Sequence, residues 1–260
     1  MELHFYKYQG AGNDFILLDN RTGRYSNLNT EQVAWLCDRH FGIGADGLML
    51  VNMADGYDFE MKYYNSDGRE STMCGNGGRC IVAFAHKLDL VGNHARFVAV
   101  DGPHDAVINH NGTVDLQMKE VDSIVRHADH TVLNTGSPHY VTFLDDVDAL
   151  DVKHDGAAIR YNDTYRAEGI NVNFVTRTPT GIKVRTYERG VEDETLSCGT
   201  GVTASAIASV NGFHQQHEVA IVTPGGNLAV RFEMTDDQHA QNVWLCGPAT
   251  FVFEGTIKLP

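Results

Sequence analysis

Residues 74–90 read CGNGGRCIVAFAHKLDL, and residues 198–212 read CGTGVTASAIASVNG. Each stretch opens on a cysteine–glycine pair, passes a second glycine and continues into apolar or small residues. In the first, Ile81, Val82, Ala83, Phe84 and Ala85 leave little room for a polar face. In the second, Val202, Ala204, Ala206, Ile207 and Ala208 do the same with smaller side chains. Both read as helices, with Val91–Gly92 and Asn211–Gly212 as stops. A helix that is apolar nearly all round has to be enclosed, here most simply by a wrapped sheet.

The surroundings supply the strands. LHFYKY, FILLDN, GLMLVN, DFEMKYYN, ARFVAV and TVDLQM come before about residue 130. TVLNTG, HYVTFL, INVNFVTR, IKVRTYE, VAIVTP, NLAVRF, VWLC and TFVFEGTI come after it, and several alternate as half-buried strands do. One further helix is expected from Thr30 to about His40, capped by Thr30, with Val33, Ala34, Leu36 and Cys37 facing inward. Another is expected over roughly Asp151 to Arg160. The chain thus reads as an α/β protein of two related halves, with Cys74 and Cys198 at equivalent points. A polar stretch, Glu120 to Asp129, marks the boundary, giving halves of 1–122 and 123–248.

Composition narrows the function. With 34 acidic against 20 basic side chains the formal charge is −14, and no Lys/Arg stripe is visible. Nucleic acid and anionic membranes are therefore not expected partners. No run approaches the ~20 apolar residues of a membrane span. MELHFYKYQG lacks a basic start followed by an apolar run, so no secretory leader is read there. The five cysteines, Cys37, Cys74, Cys80, Cys198 and Cys246, are odd in number and scattered. That pattern points to reduced thiols in the cytoplasm, not to a disulfide scaffold.

A glycine turn opening a helix gathers free backbone N–H groups at the positive end of the helix dipole, which suits a carboxylate or phosphate. The same field favours a thiolate, and activated cysteines titrate at ~3.5–7.5. Cys74 and Cys198 therefore read as two activated thiols around one anion. An inert buried thiol is the competing reading for Cys74 taken alone, and the accepted one for Cys37, Cys80 and Cys246. No C-x-x-C or H-x-x-x-H motif is present, so neither zinc nor thiol–disulfide exchange is expected. GIGADG, Gly42 to Gly47, matches a dinucleotide pattern but follows a helical segment, where that motif has no meaning. YERGVEDETLSCGTG sets Glu188 and Arg189 at a strand end, an ammonium partner and a carboxylate clamp close to Cys198. GAGNDF, NSDG, GSPHY and GINVNF add Asn13, Asn65, His139 and Asn171 at loops and strand ends.

Taken in order, GAGNDFILLD, DRHFGIGADGLML, YYNSDG, MCGNGGRC, GSPHYV, GINVNFV, YERGVEDETLSCGTGV and VTPGG resemble the diaminopimelate epimerase family nearly end to end. The resemblance implies two pseudo-symmetric halves, each a curled, mostly antiparallel sheet around a central helix. The active site would lie between them, and the C-terminal strand, about 249–260, would return to the first half. It implies cofactor-independent interconversion of L,L- and meso-diaminopimelate by a thiol/thiolate pair, in lysine and cell-wall precursor synthesis, by a homodimer. Cys74 and Cys198 would be the acid and base, assisted by His139 and Glu188. Asn13, Asn65, Asn171, Glu188 and Arg189 would hold the substrate, with Gly75, Asn76, Gly199 and Thr200 supplying helix-end N–H groups. Three features depart from the family pattern. Gly47 stands where a glutamine is usual, Ser137 stands where an asparagine is usual, and the segment from Arg189 to Cys198 is one residue longer. A proline or hydroxyproline racemase-like enzyme shares the twin-cysteine plan, and phenazine-biosynthesis isomerases share the fold. A non-catalytic anion binder would keep the glycine turns but need no second thiol.

Overall fold

Strand follows strand for most of the chain, interrupted by four helices. The computed structural model describes residues 1–260. They divide into two units, Met1–Leu116 with Gly247–Pro260, and Gln117–Cys246. The first carries β1 (Glu2–Gly10), β2 (Asn13–Asp19), α1 (Thr30–Cys37), β3 (Gly47–Asn52), β4 (Phe59–Asn65), α2 (Gly75–Lys87), β5 (His94–Ala99), β6 (Gly102–Ile108) and β7 (Thr113–Gln117). The second carries β8 (Ile124–Arg126), β9 (Thr131–Asn134), β10 (Pro138–Phe143), α3 (Val152–Arg160), β11 (Asn171–Thr178), β12 (Gly181–Glu188), β13 (Asp193–Thr195), α4 (Gly199–Ser209), β14 (Gln215–Thr223), β15 (Gly226–Met234) and β16 (Ala240–Pro248). The last strand, β17 (Thr250–Lys258), returns to pair antiparallel with β1.

Strand pairing shows the two units to be copies of one plan. In the first, the order β17-β1-β2-β3-β4-β5-β6-β7 is antiparallel except at β2–β3 and β4–β5. In the second, β8-β9-β10-β11-β12-β14-β15-β16 is antiparallel except at β10–β11 and β12–β14. A parallel pair needs a crossover connection, and each of these four crossovers carries one helix. The returning β17 fills the place that β8 fills in the second unit. The short β13 is extra, pairing antiparallel with β12.

The second helix of each unit is the central one. α2 packs against β1, β2, β3, β6 and β17, and α4 against β9, β10, β11, β12, β14 and β15. A single helix can touch strands so far apart in the order only if the sheet curls around it. Both are buried along nearly their whole length, including Arg79, Thr203 and Ser205. The helices α1 and α3 cover the opposite sheet faces. Val33, Leu36 and Cys37 of α1 join Leu3, Phe5, Ile16, Leu18, Leu48 and Leu50 in one cluster. Val152 of α3 joins Val172, Phe174 and Tyr187 in another. None of the helices is long and apolar enough to cross a membrane.

Helix ends differ in detail from the sequence reading. Asn29, not Thr30, caps α1 in a reciprocal box. Its side chain accepts from Gln32 N at 2.9 Å, and Gln32 Oε1 accepts from Asn29 N at 3.2 Å. That helix stops at Cys37, short of His40, because Ile43, Gly44 and Ala45 donate to the Leu36 and Cys37 carbonyls. α2 ends at Lys87 with Asp89 left-handed at φ 54°, and α4 gives way to extended Val210. Both ends precede the expected Gly92 and Gly212.

Gly156 shows how closely α3 lies on its sheet. A Cβ there would meet Tyr187 Cβ at 2.4 Å and Cγ at 2.5 Å. Tyr187 is 2 % exposed and its hydroxyl donates to Glu192 Oε2 at 2.9 Å, so the ring has nowhere to go. Helix propensity favours Ala over Gly by about 1 kcal/mol, whereas overpacking costs about 1–3 kcal/mol or more. Gly156→Ala is expected to lower the urea midpoint, while Gly92→Ala, with nothing within 4 Å, leaves it unchanged or raises it. Stabilisation by Gly156→Ala would show that α3 moves freely on the sheet.

Candidate active site

Cys74 is the extended N-cap of α2, and its side chain makes no capping bond. The first helical bond runs from Gly78 N to Cys74 O at 2.7 Å. The N–H groups of Gly75, Asn76 and Gly77 therefore have no acceptor within the helix, and no acidic residue stands in the first turn. Cys74 Sγ donates to Asn13 Oδ1 at 3.5 Å, and Asn76 Nδ2 donates to the same oxygen at 3.5 Å. Asn76 is oriented in turn by Arg79, whose Nη2 donates to Asn76 Oδ1 at 2.9 Å from a wholly buried position. On its other side Asn13 Nδ2 donates to Asp46. Asp46 accepts from Arg39 at 2.8 Å, and Arg39 also pairs with Asp14 at 2.7 Å, as does Lys7 at 2.7 Å. Burial pushes the Asp14 carboxyl up, but the hydrogen bonds from Arg39 and Lys7 outweigh it and hold it at about 2.

The second unit repeats the arrangement with different side chains. Cys198 is the extended, uncapped start of α4, whose first bond is Val202 N to Cys198 O at 2.9 Å. Gly199, Thr200 and Gly201 thus keep N–H groups that the helix does not use. Cys198 Sγ lies 3.4 Å from Thr200 Oγ1, and Thr135 Oγ1 donates to Thr200 O at 2.8 Å. In the same unit, Asn171 Nδ2 donates to Ser137 Oγ at 2.8 Å and Pro138 O at 3.0 Å, while its Oδ1 accepts from Arg189 N at 2.9 Å. The Arg189 guanidinium donates to Glu168 O at 3.0 Å and Ser137 Oγ at 3.4 Å. Glu188 Oε2 accepts from Thr195 Oγ1 at 2.9 Å. In the longer connection to Cys198, left-handed Glu192 (φ 59°) accepts from Tyr161, Tyr187 and Gly190 N at 2.9–3.0 Å, which pins the loop.

His139, on β10, is fully buried. Burial, with the charge of Arg189 second, holds its imidazole at about 3. Its Nδ1 lies 3.1 Å from Asn173 Nδ2, and its Nε2 has no hydrogen-bond partner. Two other thiols are buried. Burial pushes both Cys37 and Cys80 up to about 12.

Of the residues singled out in sequence, Asn13, Cys74, Gly75 and Asn76 come together at one helix start. Cys198, Gly199 and Thr200 form the other; Thr135, which holds Thr200, stands two residues before Ser137, to which Asn171 and Arg189 both donate, while Glu188 ends β12 and His139 lies on β10. Asn65 does not join the first group by any hydrogen bond; it is exposed at the end of β4, opposite Gly47 in the ladder. A Cβ on Gly47 would fall 2.5 Å from the Tyr63 ring and 2.6 Å from Tyr64 O, so the phenol fills the space where a longer residue would begin. Sequence reading passed over Arg79, Asp46, Asn173 and Thr186. Asn173 alone left a signal, since it stands two residues from Asn171 and so shares its strand face. No three His, Cys, Asp or Glu side chains gather to hold a metal ion.

The family model for diaminopimelate epimerase matches residues 5–124 and 131–252. A diaminopimelate epimerase of Flavobacterium psychrophilum is 53 % identical, covering 98 % of this chain and 100 % of its own. That of Chlorobaculum tepidum is 44 % identical over 96 % and 99 %. Among solved structures, a Bacillus anthracis phenazine biosynthesis protein of the PhzF family superposes with TM-score 0.74 at 13 % identity, covering 99 % of both chains. A hydroxyproline epimerase from Agrobacterium vitis with trans-4-hydroxy-L-proline bound gives 0.68 at 11 % identity, over 98 % and 92 %. At such identities these likenesses speak for the fold alone.

The burial of His139 has a consequence for stability. Its imidazole titrates at about 3 in the fold and at 6.5 ordinarily, so between those values the unfolded chain binds a proton that the folded chain does not. Stability therefore rises with pH across that window; it is full above about 6.5 and is lost as pH falls towards about 3. From pH 7 to pH 5, urea unfolding is expected to show a loss about 1–2 kcal/mol larger in the parent than in His139→Gln. Equal losses would mean that folded His139 is protonated.

Proposed function

The chain belongs to the diaminopimelate epimerase family, and from that membership we propose that it interconverts L,L- and meso-diaminopimelate without a cofactor. The observation that carries this reading is the matched pair of helix starts, each a cysteine with no side-chain capping bond followed by N–H groups that the helix itself does not use. Inverting an α-carbon requires removing its proton from one face and delivering another to the opposite face. One thiolate and one thiol, Cys74 and Cys198, perform the two transfers and exchange roles when the reaction reverses. The departing proton leaves negative charge that spreads into the α-carboxylate. The N–H groups of Gly75, Asn76, Gly199 and Thr200 donate to that carboxylate and lower the barrier.

Glu188 and Arg189 hold an ammonium and a carboxylate. Asn171 is largely occupied in setting Arg189, and its Oδ1 keeps one lone pair for a substrate ammonium. Asn13 and Asn76 line the Cys74 side, Asn65 contributes from the end of β4, and His139 and Glu188 assist the thiols. A hydroxyproline-type reaction is the weaker reading, because the Glu188–Arg189 pair answers a second charged end that a ring amino acid lacks. A binder of anions would have no use for the second thiol. The product serves lysine and cell-wall precursor synthesis in the cytoplasm, a location that cell fractionation checks.

Incubating the protein with L,L-diaminopimelate in deuterated water is expected to yield the meso isomer with deuterium at one α-carbon, read by NMR. Activity that requires pyridoxal phosphate, or that a chelator removes, would exclude this chemistry.

We also place the enzyme in a homodimer. Phe251, Val252 and Phe253 of β17 are 40 %, 51 % and 45 % exposed, three consecutive large apolar residues on the strand that closes the first unit. Covering them with a second copy removes that surface from water. Sedimentation is expected to give a dimer for the parent chain and a monomer for Phe253→Asp. A parent chain that sediments as a monomer at micromolar concentration would refute the assembly.

A further inference from the structure

Asn173 and His139 stand on the paired parallel strands β11 and β10, and both side chains are wholly buried. The Asn173 amide has its orientation forced on it. Its nitrogen lies 3.1 Å from Tyr140 O, and a main-chain carbonyl can only accept, so Nδ2 and not Oδ1 must face it. Its oxygen accepts from Thr186 Oγ1 at 3.0 Å. The second hydrogen of Nδ2 is then left for His139 Nδ1 at 3.1 Å. A ring nitrogen that accepts carries no proton, so the single proton of the neutral imidazole sits on Nε2.

That Nε2–H is buried without an acceptor. Folded proteins seldom keep such a donor unless it has work to do. It belongs to a polar group beneath the first turn of α4. Asn173 Oδ1 would lie 2.4 Å from a Cβ on Gly201, and Cys198 Cβ 3.3 Å from the same point. Only glycine at 201 lets the turn settle onto Asn173.

We propose that Asn173 is a positioning residue that locks His139 as the Nε2–H tautomer, so that His139 serves the reaction as a hydrogen-bond donor to an anion and not as a base. The inference rests on His139 taking part in the epimerisation proposed above. It assigns a role to a strand residue that the two cysteine motifs do not include. It also separates His139 from proton transfer, which leaves that task to the thiols.

The tautomer can be read without any assay, from the ring nitrogens of His139 in substrate-free, nitrogen-15-labelled protein. The expected spectrum shows Nε2 protonated and Nδ1 bare; Nδ1–H or a doubly protonated ring at neutral pH would overturn the inference. Asn173→Asp puts acceptors where the donor was, and is expected to move the proton to Nδ1 and lower kcat about tenfold or more. His139→Gln keeps an N–H donor near the Nε2 position but no base. Its kcat is expected to exceed that of His139→Ala about tenfold or more, and equal losses in the two variants would overturn the donor role. Diaminopimelate that moves the Nε2–H resonance places the acceptor on the substrate. A resonance that saturating diaminopimelate leaves unmoved would overturn the donor role. Should the epimerase assay fail while the Nε2–H tautomer stands, the function is wrong and the tautomer lock is not.

Discussion

The first turns of α2 and α4 hold amide groups that no carbonyl of their own helix can reach, and they hold them within the protein. A buried N–H without a partner is costly, so such turns persist only where something else meets them. Here the residues just before them, Cys74 and Cys198, make no capping bond, and no acidic side chain takes the place of a cap. The helices behind these turns have no polar face, so each has to be covered on all sides. The curled sheets, the four helical crossovers and the return of β17 to β1 all serve that covering. Within each unit the same enclosure leaves one positive helix end beside one thiol.

Side-chain amides are ambivalent, since either end can face a neighbour. In this protein each important one is fixed by a partner that can act in one sense only. Arg79, which can only donate, sets Asn76. The Asp46 carboxylate, which can only accept, sets Asn13, and main-chain carbonyls set Asn171 and Asn173. Behind Asp46 stand Arg39, Asp14 and Lys7, joined in one ion network. The amides that face Cys74 and His139 therefore have their orientation set by the fold itself.

Much of this was legible in the chain. Apolar residues on every face of two segments announced buried helices, and alternating runs announced the strands that cover them. The glycine turns located both thiols, and the motif order pointed to the family. What escaped notice has a common cause. Arg79 lies inside an apolar helix, where a lone cation looks like an exposed residue, yet it is among the largest fully buried side chains. Asp46 sits in a glycine loop that reads as a failed dinucleotide motif. Asn29 caps α1 because Gln32 can reach back to it, and Thr30 lacks that reciprocal partner. Each depends on a neighbour distant in sequence or on one turn of local geometry.

The sequence by itself determined the two-fold plan, the buried helices and the two cysteines at their starts. Periodicity and glycine placement are properties of short stretches, and hydrophobic burial is non-directional, so the pattern alone demands the enclosure. Only the tertiary structure decided which way each amide points, which charges stand behind it and which nitrogen of His139 carries the proton. Hydrogen bonds are directional and short. Strands β10, β11 and β12 have to pair in register before Tyr140, Asn173 and Thr186 can meet, and no local pattern in the chain specifies that meeting.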